Sequence, residues 1–450
     1  GVSNAATVTV TVEDGLAGHD GQYKWTYQVT NTGFEVGVPP GIGTFALSVG
    51  DPADVSGLSN SLDWGVSVGG PGDPARITWQ TARRNEQIAV GESATFSFYT
   101  SETGVQLSTG ANFVADFNLT TTAQGPVAAP APALLVTTAS DVLDPADGVL
   151  SLREAVKAVN ENRAGTQTIR FAANLNGATI TLNPNPTDYG QFVLSRNVTI
   201  DTQGKSITIQ RDPATATKHR LFEVGANAGV DLTGLTLRKG KVDDAGGAIL
   251  SRGALRITNC TFVENQATTG FGGAVAAVAD SRALIIRDST FTGNSADVGG
   301  AISVGERVLL ATISGGTVAL NTARRGGGIA ISSSTTEVPT RVSTARVDVN
   351  GNLASERGGG IYVSPVDGAG AAGTELTLLG NTIIQQNVVS QMDGKGGGVY
   401  FGRGTINLNG VLFKQNSATT GNGLFLVDPG TEKKVTRVTF EGNSEAVGTP

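Results

Sequence analysis

Seven times between Phe262 and Asn443 an apolar residue is followed, three positions later, by an asparagine. The copies are Phe262/Asn265, Phe291/Asn294, Val318/Asn321, Val349/Asn352, Ile384/Asn387, Phe413/Asn416 and Phe440/Asn443, and their asparagines fall 29, 27, 31, 35, 29 and 27 residues apart. A second signature recurs between them as Gly246-Gly247-Ala248-Ile249, Gly272-Gly273-Ala274-Val275 and Gly299-Gly300-Ala301-Ile302. It continues as Gly327-Gly328-Ile329, Gly359-Gly360-Ile361, Gly397-Gly398-Val399 and the degenerate Gly423-Leu424. Such a period, carried by short runs of β-type alternation, means stacked coils. One coil cannot bury its Ile, Leu and Phe alone, because only the coils above and below cover them.

The residue types follow from that geometry. An Asn at one corner of every coil can donate and accept amide hydrogen bonds up and down the stack, so Asn265, Asn294, Asn321, Asn352, Asn387, Asn416 and Asn443 are expected to form an internal ladder. The Gly pairs permit a sharp corner and positive φ, where a Cβ would clash. With earlier coils around Ile169, Val198 and Leu235, about ten turns are expected. Residues 134–450 are therefore read as a right-handed parallel β-helix.

Its entrance carries the one convincing helix, over about 151–162. Leu152, Ala155, Val156 and Val159 lie on one stripe. Ser151 with Glu154 makes a capping-box start. Leu152, Glu154, Val156 and Val159 are expected to cap the first coil around Ile169 and Phe171.

The first segment, 1–123, reads differently. Thr7-Val8-Thr9-Val10-Thr11-Val12, Tyr23 to Val29 and Ala94 to Tyr99 alternate strictly, which puts one face in a core and the other in water. Clusters such as Gly70-Pro71-Gly72-Asp73-Pro74 separate the runs, and the expected fold is a β-sandwich. Trp25, Trp64 and Trp79 all lie in this segment; a sugar platform is one reading, and core packing is the preferred one. Residues 124–133, rich in Pro and Ala and uncharged, read as a semi-rigid extended linker. The fold class is thus all-β, a sandwich followed by a long β-helix with a helical cap.

Leu150-Ser151-Leu152-Arg153-Glu154-Ala155 resembles the CSLREA motif, which opens β-helices in many bacterial surface proteins; here Leu150 stands where the motif has Cys. The Gly-Gly-Ala-Ile and Phe-x-x-Asn copies resemble the repeats of chlamydial polymorphic outer-membrane proteins and related adhesin-like passengers. Both resemblances imply cell-surface display and adhesion, and neither implies a defined reaction.

The composition agrees with an exported protein. Charged residues make up 16%, and the net charge is −7 with no basic stripe, so a nucleic-acid partner is not expected. No membrane-spanning run is visible. A start at Gly1-Val2-Ser3 reads as a mature secreted chain whose leader has been removed. The single Cys260 rules out an internal disulfide framework and reads as a small buried side chain.

A carbohydrate-active enzyme, lyase or hydrolase, is the competing reading. Asp243-Asp244 is the one carboxylate pair to consider, and it lacks a following Gly-His-Gly; His19 and His219 lie elsewhere. Arg324-Arg325, Glu356-Arg357 and Lys395 occupy equivalent turns and could form a charged ladder. Asp141, Asp144 and Asp147 stand every third residue, which is not the spacing of an EF-hand loop; they read as turn and helix-entry residues, with Ca²⁺ the weaker alternative. No cofactor is expected. The preferred function is an extracellular structural or adhesive protein, self-assembling head to tail, with surface glycans as further partners. The segments chosen for assembly are a donated strand bearing Val8, Val10 and Val12, and a last coil bearing Val438 and Phe440 that no capping helix follows.

Overall fold

The computed structural model describes the strand segments and Ser61 within the first 126 residues. Beyond them it describes residues 133–161, 167–183, 190–279, 281–308, 310–334, 339–365, 373–428, 431–443, 445 and 447–448. The chain divides into two compact units, Gly1–Ala131 and Pro132–Pro450.

The described part of the first unit is antiparallel β-structure. Ala6–Asp14, Tyr23–Asn31, Ser93–Thr100 and Ser56–Asn60 form a four-stranded sheet in that order. Thr44–Ser48, Arg76–Gln80 and Gly65–Val68 form a three-stranded one. Ala94, Phe96 and Phe98 are buried, as alternation along a half-buried strand requires. Of the two readings of Thr7–Val12, the structure shows the local one. Val8, Val10 and Val12 stand opposite Val29, Tyr27 and Trp25 in the chain's own sheet. The physical reason is that pairing across a short connection closes a small loop at little entropic cost. Trp64 lies outside the described residues, as do the side chains of Trp25 and Trp79.

The linker reading also needs correction. Gln124, Gly125 and Pro126 belong to the strand Phe117–Pro126, which pairs with Val105–Ala115, placing Gly125 opposite Gln106 and Pro126 opposite Val105. A proline is tolerated there because it ends the strand, where its missing N–H interrupts no ladder. Residues 127–132 lie outside the described residues.

The second unit is a parallel β-solenoid. Among the described residues three sheets run along it, of 19, ten and six strands. A typical coil gives two short strands to the longest sheet (Ala254–Thr258 and Thr261–Val263), turns a corner into Gln266–Phe271 of the six-stranded sheet, then turns again into Val275–Ala277 of the ten-stranded one. The ten stacked strands of that last sheet give nine coil-to-coil steps.

Register is fixed by the core. Phe262, Phe291, Val318, Val349, Ile384, Phe413 and Phe440 stand directly over one another on successive strands. Phe262 and Phe291 stack with centroids 4.5 Å apart, and Phe413 and Phe440 with centroids 4.8 Å apart. Val438 and Phe440, the residues of the last coil, pack partly buried against this same core.

The corners divide the glycine work unequally. Only the first Gly of each corner takes positive φ, for example Gly272 at 63°. The second is needed for close approach: a Cβ on Gly273 would stand 2.1 Å from the Gly300 carbonyl oxygen of the next coil. In the later copies the left-handed residue is Gly326, Gly358 or Gly396, one place before the pair singled out in the sequence.

Candidate functional site

The seven repeat asparagines lie in one file inside the corner between the longest and the six-stranded sheets. Six of them, Asn265, Asn294, Asn321, Asn352, Asn387 and Asn416, are no more than 2% exposed. In each step the backbone N–H and the side-chain Nδ2 of one Asn both donate to the Oδ1 of the next, as from Asn265 to Asn294 at 2.9 and 3.0 Å. The other Nδ2 hydrogen reaches a carbonyl of the preceding coil: Leu237 for Asn265, Phe262 for Asn294, and so on to Phe413 for Asn443. The residue before each Asn is left-handed: Glu264, Gly293, Leu320, Gly351, Gln386, Gln415 and Gly442, with φ between 51° and 64°. This file holds the corner shut, and being buried it offers nothing to a ligand.

The helix Leu152–Glu161 buries Leu152, Ala155, Val156 and Val159 in the same core as Ile169 and Phe171. Glu154 Oε2 accepts the Ser151 N–H at 2.8 Å, and Ser151 Oγ accepts the Glu154 N–H at 3.1 Å. Glu154 Oε1 also accepts the Asp144 N–H at 2.8 Å, tying the preceding loop to the helix start. Arg153, which the helical stripe did not single out, is buried as well. It donates from Nε and Nη2 to both oxygens of Asp141 at 2.6 and 2.8 Å, and its guanidinium lies 4.6 Å from the centre of the Phe192 ring.

The three aspartates singled out for Ca²⁺ each have local partners. Asp141 is engaged by Arg153 and by the Asn183 N–H, while Asp144 and Asp147 accept from the N–H groups of Ala146 and Val149 in local turns. The three carboxylates do not converge, and no group of three metal-binding side chains occurs among the described residues. The reason is that each Asp closes its own two-residue turn or ion pair, which a stretched spacing of every third residue permits.

The Asp243-Asp244 pair is likewise committed. Asp243 meets Lys218 at 2.6 Å, and both oxygens of Asp244 accept from Arg220 Nη2 at 2.6 and 2.7 Å. Partial burial pushes the Asp244 carboxyl up, but the hydrogen bonds and charge of Arg220 outweigh it and hold the group below its usual range. A general acid needs the opposite shift. Cys260 is buried, its thiol facing the Leu232 carbonyl, and burial pushes its pKa up to about 11, far from a reactive thiolate. His19 lies outside the described residues. His219 is buried, with Nδ1 on the Arg220 carbonyl at 3.0 Å.

The most chemically loaded surface lies where the six-stranded sheet turns into the ten-stranded one. Arg325 pairs in register with Arg357, and Arg357 with Lys395, on successive coils. Beneath them runs the outward-facing row Ala330, Tyr362, Tyr400 and Phe425, covered although it faces away from the core. Tyr362 stacks on Tyr400 at 5.4 Å and Tyr400 on Phe425 at 5.5 Å. Arg325 hydrogen-bonds the Tyr362 hydroxyl. Arg357 donates to the Tyr400 hydroxyl at 3.1 Å with its guanidinium 5.3 Å from that ring's centre, and the Lys395 ammonium sits 4.9 Å over Phe425. Burial pushes both tyrosine hydroxyls up, so they stay neutral donors and acceptors.

At the start of this strip the charges are balanced. Arg324 grips Asp297 at 2.8 Å and Glu356 at 3.0 Å, and Arg325 meets Glu356 at 2.7 Å. Partial burial pushes Glu356 up, but Arg325 and Arg324 outweigh it and hold it ionised; Arg324 likewise holds Asp297 below its usual range. Sequence spacing placed these charges in equivalent turns; the aromatic row beneath them it did not reveal, because its members belong to strands read as core.

Residues 288–305, which hold Phe291, Asn294 and the Gly299-Gly300 corner, match the Chlamydia polymorphic membrane protein repeat. No curated protein matches the chain. Among solved structures, the catalytic domain of a GH87 α-1,3-glucanase in complex with nigerose aligns over 100% of this chain and 96% of its own, at 10% identity and a TM-score of 0.29. No helix among the described residues is long and apolar enough to cross a membrane.

Proposed function

We propose that the chain is a bacterial surface protein whose β-solenoid serves as a stiff structural or adhesive module and not as an enzyme. The observation that carries this reading is the repeat itself. The copy at 288–305 matches a repeat of polymorphic membrane proteins, and the same corner asparagine and Gly corner continue in the coils on either side. The carboxylate pair that sequence offered for catalysis supports it too, since Arg220 and Lys218 neutralise that pair. Labelling of intact cells with antibodies against the solenoid, together with a search for reducing ends released from plant, algal and host glycans, tests the reading. Labelling without product is expected; product released by the purified protein would overturn it.

The finer reading is a fibre subunit. A parallel stack is polar and presents unlike edges at its two ends, so a contact that joins one end to the other is heterologous and, where its rotation does not close a ring, repeats into a filament. Sedimentation and electron microscopy of the purified chain test this, with filaments expected at high concentration and a strictly monomeric protein as the contrary result.

A further inference from the structure

The charge balance of the lateral strip changes along the stack. Arg324 and Arg325 are matched by Asp297 and Glu356. One and two coils further on, Arg357 and Lys395 have no carboxylate within ion-pair reach among the described residues, and each rests on an aromatic ring. What sets these two apart from the paired Arg220, Arg252, Arg256 and Arg341 is their support, an aromatic ring in place of an acid. Both cations are half-buried, so their position is set before any ligand arrives. Tyr400 occupies one N–H of the Arg357 fork, which leaves the others for an acceptor outside.

We propose that Arg357 and Lys395 form a binding strip for an acidic polysaccharide, one carboxylate or sulfate to each cation. The spacing argues for this class. Arg357 and Lys395 are partners in a parallel bridge between successive coils, and backbones so paired lie about 4.8 Å apart. Charge therefore repeats at the length of roughly one sugar residue along the stack. Tyr362 and Tyr400, both buried, brace the strip from beneath. The two cations of the strip are too few for a nucleic acid, whose binding rests on many phosphate contacts.

This deepens the adhesive reading by naming a ligand class, and the two fail separately: cell labelling tests display, whereas binding by the purified chain tests the strip. The probe is alginate, which carries a carboxylate on every residue, with neutral dextran as the comparison, in affinity electrophoresis across a salt series. Retention by alginate and not dextran is expected, weakening as salt rises. Arg357→Met with Lys395→Met keeps an aliphatic cover over Tyr400 and Phe425, and should lower alginate affinity about tenfold or more while leaving the thermal midpoint near that of the parent. Arg341→Met, which removes a cation already paired with Glu375, should leave retention unchanged. If the double variant unfolds, Lys395→Gln alone must still weaken retention. No retention of the parent at low salt, an unaltered double variant, or equal retention of single-stranded DNA would each overturn the proposal.

Discussion

Asn294 is bound twice to one atom of Asn321: its backbone N–H and its side-chain Nδ2 both donate to Asn321 Oδ1 at 2.9 Å. The same Asn294 offers its own Oδ1 to the two equivalent donors of Asn265. Removing one side chain therefore strands groups of the preceding coil. Asn294→Leu leaves two buried donors of Asn265 and the Phe262 carbonyl without partners, each orphan costing about 1–3 kcal/mol. A loss of several kcal/mol is expected in urea denaturation. Stability equal to that of the parent would mean that the file contributes nothing to holding the corner.

Asp141 and Arg153 are both nearly out of contact with solvent. Breaking such a pair leaves a buried charge, so Arg153→Met should cost about 3–5 kcal/mol. Adding Asp141→Leu removes the orphaned charge and should recover much of that loss. Thermal denaturation of the two single variants and the double completes the cycle; equal damage from the single and the double variant would show that packing over Phe192, not charge, is what Arg153 supplies.

Burial, and after it the charges of Arg211 and Arg153, hold the His219 imidazole below its ordinary range, with the Arg220 carbonyl and Asp141 opposing. The unfolded chain thus takes the proton more readily than the folded one. Stability from this group is complete above the unfolded pKa of about 6.5 and is lost as pH falls through the lower folded value. His219→Gln should flatten that part of the profile, measured by denaturant midpoints between neutral and mildly acid pH. An unchanged slope in the variant would place the titrating group elsewhere.

Leu320 has φ 57° and is 66% exposed, whereas the equivalent corners at Gly293, Gly351 and Gly442 use glycine. Leu320→Gly removes a left-handed penalty of roughly 1–2 kcal/mol, partly offset by glycine's greater unfolded freedom. A net gain of up to about 1 kcal/mol is expected. Gly273→Ala should do the reverse, because its new methyl meets the Gly300 and Ser295 carbonyl oxygens at 2.1 and 2.5 Å, neither of which can move without shifting a coil. Differential scanning of both variants checks the pair of signs.

The amino-acid sequence by itself determined the stacking. Its period is the circumference of a coil, and the apolar, Asn and Gly positions recur because each coil must meet the next at the same corner. What it left undecided was whatever depends on partners far apart along the chain. Which Gly of a corner takes positive φ depends on how near the next coil's carbonyl comes. Asp141 could be read as a cation ligand until Arg153 was seen gripping it. Thr7–Val12 carries the same alternation whatever its partner, and the tertiary structure sets Tyr23–Asn31 beside it. The strip of Arg357 and Lys395 rests on Tyr400 and Phe425, rings supplied by the following coils and far from those cations in sequence. Local pattern records the demands of the repeating contact; charge balance and burial are sums over neighbours, and only the tertiary structure supplies the neighbours.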